Sequence, residues 1–151
     1  MIVFLDIDGV IATNKSYEEY PDLLDPRCIK VLNYLTDVTD AKIVISSTWR
    51  IEGLDVLKTK LKSAGVKAEV IGLTKRIYSP FHDEGSPRGL EILQWIKDNE
   101  YDEQYIVVDD EVSDILPFIA ELFVLHTGRN AFSKGGLKMK IVEAYLNKRR
   151  T

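Results

Sequence analysis

The sequence predicts one α/β domain built on a doubly wound parallel sheet of about five strands, with helices on both faces. Short apolar segments alternate along the chain with longer segments whose apolar residues recur at helical spacing. The short segments lack the one-sided alternation of a half-exposed sheet, which indicates strands buried on both faces. A chain of 151 residues with 45% hydrophobic content can bury one core but hardly two. We therefore expect residues 1–151 to form a single domain.

The first half of the chain predicts three strands and two helices. Residues 1–5 are an apolar run that Asp6 ends, which indicates a buried first strand. Asp25 followed by Pro26 is typical of a helix N-terminus, since proline is tolerated at the first helical position. The other elements of this half are a second strand, a second helix that Gly65 ends and a short third strand, at residues 42–45, 54–64 and 68–71.

The second half begins with a long loop at residues 72–85, which contains Pro80 and a glycine at each end. Ser86 and Pro87 then open a third helix. The remaining predicted elements are a fourth strand, a short helical turn broken by proline, a fifth strand and a final amphipathic helix, at residues 105–108, 112–119, 122–125 and 137–148.

Composition excludes several classes of protein. No apolar run approaches the roughly 20 residues that a membrane span requires, and no basic segment precedes the apolar start as in a secretion signal. We therefore expect a cytoplasmic protein without a membrane partner. A single cysteine, Cys28, excludes an internal disulfide framework and a cysteine-only zinc site. The net charge of −4 shows no global preference for nucleic acid, so that partner must be argued from the site.

Polar residues collect at the carboxyl ends of three predicted strands. Asp6 and Asp8 follow the first strand, residues 46–50 follow the second, and Asp109 and Asp110 follow the fourth. In a doubly wound sheet these ends face one crevice. Four carboxylates repel one another there unless a cation or a shared proton neutralises them, and oxygen-only ligands favour Mg²⁺ over zinc or copper. The sequence therefore predicts a magnesium site that involves all four aspartates.

Asp6 and Asp8 are spaced so that they can divide the chemistry of a group transfer. One contacts the metal and attacks while its neighbour handles the proton. Gly9 allows a tight turn behind them. The alternative is that these aspartates are turn residues and that Asp109 and Asp110 cap the next helix. Both sets at matching strand ends favour the catalytic interpretation.

Four features occur in order: FLDIDGV from residue 4, IVISSTWR from residue 43, Arg88 at the start of a helix, and YIVVDD from residue 105. This order resembles the four motifs of the haloacid dehalogenase (HAD) superfamily of phosphohydrolases. The resemblance spans most of the chain and implies a Rossmann-like fold.

By this resemblance Asp6 is the nucleophile that forms an aspartyl-phosphate. Asp8 is the general acid that protonates the leaving oxygen and later activates water. Asp109, with Asp110 helping, holds Mg²⁺ together with Asp6 and the backbone carbonyl of Asp8. An aspartate at the Asp8 position is what the phosphatases of this superfamily use, which favours hydrolysis over dehalogenation.

The resemblance also assigns the phosphate-binding groups. Ser46 binds the transferring phosphoryl group, with Ser47 as the neighbouring candidate because strand boundaries shift by a residue. Arg88 stands where the superfamily usually has lysine and neutralises the phosphate and nucleophile; the alternatives are a solvated first-turn residue or a loop cation. Arg50 either grips a second phosphate or nucleotide, or forms a salt bridge.

Several other side chains have open roles. Trp49 either stacks on a base or packs in the core. Asp114 either supports the site or is a surface carboxylate. A nucleic-acid backbone would follow a channel lined by cations, for which the candidates are Arg50, Lys75, Arg76 and Arg129.

The intervals between the motifs leave no room for a cap domain, and an open site suits a phosphate on a bulky polymer. ISSTWR and RGLEILQWI, the latter from Arg88 to Ile96, look most like the HAD domains of Swiss Army Knife RNA repair proteins and, more distantly, the 3′-phosphatase domains of polynucleotide kinases. We therefore expect a Mg²⁺-dependent phosphatase that acts on an RNA or DNA 3′ end or on a nucleotide.

Two other functions stay open at this point. One is a deoxynucleotide or small-molecule phosphatase in which the loop at 72–85 is a lid and Tyr78, Phe81 and Trp49 cover a base. The other is a non-catalytic binding module, since a fold does not determine its function. The intact acidic set argues against that module. The sequence leaves the oligomeric state open.

Overall fold

The strands form one five-stranded sheet in a computed structural model of the chain, which describes residues 1–77 and 85–150. All four strand pairings are parallel, and the spatial order is β3-β2-β1-β4-β5. The strands are β1 (Ile2–Leu5), β2 (Lys42–Ile45), β3 (Val70–Leu73), β4 (Tyr105–Asp109) and β5 (Val124–His126). This order confirms the predicted doubly wound, Rossmann-like parallel sheet.

Six α-helices and two short 3₁₀ helices accompany the strands in the described ranges. The helices are α1 (Asn14–Glu19), α2 (Pro26–Thr39), α3 (Leu54–Ser63), α4 (Arg88–Asp98), α5 (Ala131–Lys134) and α6 (Met139–Arg150), with 3₁₀ helices at Thr48–Glu52 and Glu121–Phe123. The four longer α-helices confirm the predicted ones. The helices of six residues or fewer were not predicted, because so few residues cannot show a helical apolar period.

Two strands lie elsewhere than predicted. β3 begins at Val70 rather than at residue 68, because its pairing with β2 joins Val70 to Ile43 and extends to Leu73. β5 likewise starts two residues late, since its pairing with β4 begins at Val124.

The short helical turn predicted at residues 112–119 is present. The backbone N–H groups of Leu116 and Ile119 each donate to the carbonyl four residues earlier, at 3.0 Å. The segment forms separate turns and no continuous helix, because Pro117 has no N–H for a helical hydrogen bond.

Alternate residues of β1 face opposite layers of the core. Val3 and Leu5 belong to the cluster that α2, α3 and α6 cover, and this cluster also contains the buried Cys28. Ile2 and Phe4 belong to the second cluster, which α4 and the turns at 112–119 cover. Both faces of the sheet are therefore buried, which leaves the strand ends as the accessible edge.

The crossovers between strands are short. In the described residues, α1 and α2 lie between β1 and β2, and one 3₁₀ helix and α3 lie between β2 and β3. Neither of these two crossovers contains a second sheet. No helix within residues 1–77 and 85–150 has the length and apolar character that crossing a bilayer requires.

Candidate active site

The carboxyl ends of β1 and β4 bring three carboxylates together. Asp6 follows β1, while Asp109 ends β4 and Asp110 comes next. Each offers an oxygen, and these oxygens all lie within 4.8 Å of one another. The two strands are neighbours in register, with Leu5 opposite Val108, so that the aspartates emerge at the same level. The structure thus joins residues that are about a hundred positions apart in sequence.

The electrostatics of this cluster favour a bound cation. Burial raises the pKa of Asp6, an effect that Arg88 opposes and Asp110 increases. Burial and the charge of Asp6 raise the pKa of Asp109 as well, again against the effect of Arg88. Negative charge is therefore costly here until more positive charge arrives. A set of carboxylate oxygens suits Mg²⁺, so Asp6, Asp109 and Asp110 fit a divalent cation.

Asp8 has different surroundings, because its carboxylate is not a member of that cluster in the described structure. Tyr17 Oη donates a hydrogen bond to Oδ1 of Asp8 at 2.7 Å, and Trp49 Nε1 donates one to Oδ2 at 3.2 Å. Burial and the hydrogen bond to Asp8 raise the pKa of Tyr17 to about 12, so this hydroxyl keeps its proton. The structure therefore does not support the prediction that the Asp8 side chain joins the other three aspartates at the metal.

The two serines after β2 have separate roles in the structure. Ser46 is 1% exposed, and its Oγ has no hydrogen-bond partner among the described residues. Ser47 instead caps the 3₁₀ helix, because its Oγ accepts a hydrogen bond from Trp49 N at 3.2 Å. An unpaired buried hydroxyl costs about 1–3 kcal/mol, which a phosphate oxygen that accepts its hydrogen bond would offset. Of the two candidates, the geometry favours Ser46.

Arg88 reaches into the acidic cluster from the first turn of α4. Its Nη1 lies 3.3 Å from Asp6 Oδ1 and 3.6 Å from Asp109 Oδ2, and it donates to the backbone carbonyl of Ser46. The Arg88 side chain is 18% exposed, so the alternative of a solvated first-turn residue is wrong. Asp114 Oδ2 accepts a hydrogen bond from Arg88 N at 2.9 Å. Asp114 therefore caps α4, the helix that positions Arg88. Of its two alternatives, support of the site is the one that this contact favours.

Arg50 forms the salt bridge that the sequence left open. Its Nη1 and Nη2 donate to the two carboxylate oxygens of Glu91 at 2.8 and 3.0 Å, and Nη1 also donates to Thr74 Oγ1 at 3.2 Å. Glu91 is 2% exposed and also accepts a hydrogen bond from Ser86 Oγ at 2.6 Å. The structure therefore does not support the expected grip of Arg50 on a second phosphate.

The other cations proposed for a backbone channel lie in two different grooves. Lys75 and Arg76 line a groove of about 500 Å³ beside α4. Arg129 lines a groove of about 600 Å³ that Asp110 and His126 share. Only the second groove borders the acidic cluster, so the described structure does not unite these cations along one path.

Three residues near the site were missed by the sequence interpretation. Tyr17 lies in a polar segment without periodicity, so nothing indicated its contact with Asp8. Glu91 lies on α4, where an ionisable residue on a buried face was the only signal. Thr127 follows β5, and its Oγ1 donates to the Gly9 carbonyl at 2.9 Å. Asp6 was identified as a polar residue that directly follows a strand, and the same criterion would have identified Thr127.

Trp49 packs in the core with 9% of its surface exposed, as the second of its two alternatives expected. Tyr78 and Phe81, the rings assigned to a lid, lie outside the described residues. The loop predicted at residues 72–85, which one alternative treats as a lid, begins after Leu73, because Gly72 and Leu73 belong to β3.

Comparison with known proteins adds two findings. A family model described as the HAD domain in Swiss Army Knife RNA repair proteins matches residues 2–135. Among solved structures, the chain is similar to D,D-heptose 1.7-bisphosphate phosphatase from B. bronchiseptica complexed with magnesium and phosphate, with a TM-score of 0.53 and 17% identity. The alignment covers 97% of this chain and 98% of that one, and at this identity it shows the shared fold. No curated protein sequence matches the chain significantly.

Proposed function

Because the chain belongs to the family of HAD domains found in Swiss Army Knife RNA repair proteins, we propose that it is a magnesium-dependent phosphatase that forms an aspartyl-phosphate on Asp6. The observation that carries the proposal is the buried hydroxyl of Ser46, which has no hydrogen-bond partner within residues 1–77 and 85–150. It follows β2, the strand beside β1, at the edge where Arg88 lies 3.3 Å from Asp6. A nucleophile, a cation and a free hydrogen-bond donor at one edge are what phosphoryl transfer requires.

In the first step a carboxylate oxygen of Asp6 bonds to phosphorus as the bond from phosphorus to the leaving oxygen breaks. Ser46 Oγ donates a hydrogen bond to a phosphoryl oxygen, and the Arg88 guanidinium balances the negative charge beside Asp6. Mg²⁺ held by Asp6, Asp109 and Asp110 would supply further positive charge to the phosphoryl oxygens.

Asp8 handles the protons in both steps. It gives a proton to the leaving oxygen as the aspartyl-phosphate forms, and is left as a carboxylate. It then takes a proton from the water that attacks phosphorus, which releases phosphate and restores Asp6. The separation of Asp8 from the acidic cluster in the described structure suits this role, because a carboxyl group that does not hold the metal can carry a proton.

For the substrate we propose a 3′-phosphate at an RNA or DNA end. The family is named for RNA repair proteins, and the described crossovers contain no cap that would enclose a small molecule. An open edge of the sheet admits a phosphate attached to a polymer. We also propose that residues 1–151 form one HAD-like domain and act as a unit.

The test measures phosphate release with Mg²⁺ or with a chelator in its place. The substrates are a 3′-phosphorylated oligonucleotide, mononucleotides and an aryl phosphate. The proteins are the wild type, Asp6→Asn and, as a matched control, Asp102→Asn, which changes an exposed aspartate before the amino end of β4, at the other end of that strand from Asp109. We expect Mg²⁺-dependent release that Asp6→Asn abolishes and Asp102→Asn retains, with the oligonucleotide preferred and its turnover weakened by added salt.

Each contrary result overturns a stated part of the proposal. Wild-type rates in Asp6→Asn would exclude the aspartyl-phosphate. A preference for mononucleotides would replace the nucleic-acid end with a nucleotide as substrate. Lack of release from all three substrates would exclude the phosphatase and support a binding module.

A further inference from the structure

Both carboxylate oxygens of Asp8 accept a hydrogen bond from an aromatic residue. Tyr17 Oη is 2.7 Å from Oδ1, and Trp49 Nε1 is 3.2 Å from Oδ2. Tyr17 lies on α1 and Trp49 lies in the 3₁₀ helix after β2, so the two donors come from separate elements. Two donors on different oxygens restrict rotation of the carboxylate, whereas one donor would leave it free to turn.

The Trp49 donor is held by its own packing. Its ring belongs to the buried core, and Lys60 Nζ lies over the ring at 5.1 Å from the centroid. Ser47 Oγ accepts from the Trp49 backbone N–H, which anchors the start of the 3₁₀ helix. The indole N–H therefore points at Asp8 from a rigid position.

The Tyr17 donor is held from the other side of the site. Its ring packs edge to face against Phe132 of α5, at 5.1 Å between centroids and an interplanar angle of 82°. The start of α1 is fixed by a capping box, in which Thr13 and Ser16 each accept from the other's backbone N–H. Tyr17 is 40% exposed and Trp49 is buried, so Tyr17 contacts Asp8 from the solvent side and Trp49 contacts it from the core side.

We propose that Tyr17 and Trp49 are positioning residues that aim the Asp8 carboxyl group at the leaving oxygen. This inference rests on the proposed function, in which Asp8 is the proton donor. The two residues differ in one respect: an indole N–H only donates, whereas a phenol hydroxyl both donates and accepts. Trp49 therefore holds Oδ2 throughout the cycle, and Oδ1, which faces the adaptable Tyr17 hydroxyl, carries the proton.

The bond from phosphorus to the leaving oxygen breaks, the bond from Asp6 to phosphorus forms, and the proton on Asp8 Oδ1 moves to the leaving oxygen. Asp8 becomes a carboxylate, and Tyr17 and Trp49 then both donate to it, as the structure shows. Without either donor the carboxyl group turns away for part of the time, and the leaving oxygen departs without its proton.

The test compares two substrates of similar shape whose leaving groups differ in their need for a proton. Phenyl phosphate releases a poor leaving group, and 4-nitrophenyl phosphate releases one that departs without a proton. The value of kcat/KM covers the steps up to the first irreversible one, here the departure of the leaving group. Tyr17→Phe and Trp49→Phe each keep an aromatic ring and remove the donor. Tyr17→Phe removes nothing else, whereas Trp49→Phe also removes part of a buried side chain. Tyr20→Phe, at the end of α1, is the matched control.

We expect Tyr17→Phe and Trp49→Phe to lower kcat/KM about tenfold for phenyl phosphate and less than about twofold for 4-nitrophenyl phosphate, since general acid assistance matters only for the poor leaving group. Tyr20→Phe should match the wild type on both. Equal losses on the two substrates, or no loss on phenyl phosphate, would overturn the inference alone. If the wild type hydrolyses only the 3′-phosphorylated oligonucleotide, Tyr17→Phe should lose about tenfold there, because a 3′ hydroxyl is also a poor leaving group, and a wild-type rate would overturn the inference. A wild type that releases phosphate from none of these substrates overturns the proposed function and this inference with it.

Thermal unfolding of each variant shows whether it folds. If Trp49→Phe fails to fold because it leaves a gap in the core, Tyr17→Phe decides the matter, since its half-exposed ring changes without opening a cavity. A folded Tyr17→Phe that treats the two substrates as the wild type does would then overturn the inference.

Discussion

A β-carbon on Gly9 would lie 2.2 Å from Oδ2 of Asp110, well inside van der Waals contact. Gly9 has a φ of +78° in the turn that follows β1, and the Thr127 hydroxyl donates to its carbonyl oxygen. The turn therefore passes directly against one carboxylate of the acidic cluster. Glycine is required here for two reasons, its positive φ and the closeness of Asp110.

Gly9→Ala should displace Asp110 and weaken the binding of Mg²⁺. In the wild type we expect Mg²⁺ to raise the Tm, because a ligand that binds only the folded state stabilises it. In Gly9→Ala we expect that increase to be largely lost, in addition to a cost of about 1–2 kcal/mol for the left-handed backbone. Thermal unfolding with and without Mg²⁺ measures both effects.

Gly53→Ala is the control for the backbone cost. Gly53 has a φ of +89°, and its added β-carbon meets nothing within 4 Å in the described structure. It should therefore lose stability as Gly9→Ala does but keep the wild-type response to Mg²⁺. A Gly9→Ala variant with the full Mg²⁺ response would show that Asp110 is not needed for the metal.

Arg50→Ala should destabilise the protein strongly. It leaves the carboxylate of Glu91, which is 2% exposed, without its bidentate partner. Removal of one member of a buried pair costs about 3–5 kcal/mol, because the other charge stays buried and uncompensated. Urea denaturation measures this loss, and we expect Arg50→Met combined with Glu91→Leu to recover most of it.

Glu69→Gln is the control for the Arg50 prediction. The pair of Lys42 and Glu69 spans 3.8 Å, and both side chains are more than 60% exposed. Loss of such a pair should cost less than about 1 kcal/mol, because water already screens it. Similar small losses in Arg50→Ala and Glu69→Gln would show that Arg50 is not structural and would restore its role as a substrate ligand.

Asp25→Asn should destabilise the protein at neutral pH and not in acid. Burial opposes the charge of Asp25, but hydrogen bonds from Arg27 and Thr13 outweigh it and lower the pKa of Asp25. A lowered folded pKa means that the charge stabilises the fold above the unfolded value of about 3.9, and that this contribution is lost as the pH falls through the folded pKa. The free energy of unfolding at pH 7 and near pH 3 tests this.

Asp25→Ser serves as the control in that experiment. Serine, like asparagine, caps α2 without a charge, so both variants should approach the wild type as the pH falls. If the difference between wild type and Asp25→Asn were the same at both pH values, the contribution of Asp25 would come from its shape and not from its charge.

The elements that were predicted correctly have strong local signals. β2 lies at the predicted residues, because three apolar residues between Lys42 and Ser46 need no distant partner to be recognised. α2 begins at Pro26 as predicted, since its N-cap Asp25 is adjacent in sequence. β3 was misplaced by two residues because its ends depend on pairing with β2, which local sequence does not contain.

The same division applies to the candidate site. Local sequence is enough to predict that Asp6, Ser46 and Asp109 share one edge, because parallel strands end together and each residue directly follows or ends a strand. The contacts between side chains at that edge depend instead on how the elements pack. Arg50 contacts Glu91, and Asp8 contacts Trp49, across 41 positions of sequence in each case. Such pairs form where packing brings two elements within hydrogen-bond distance, and no local pattern encodes that distance.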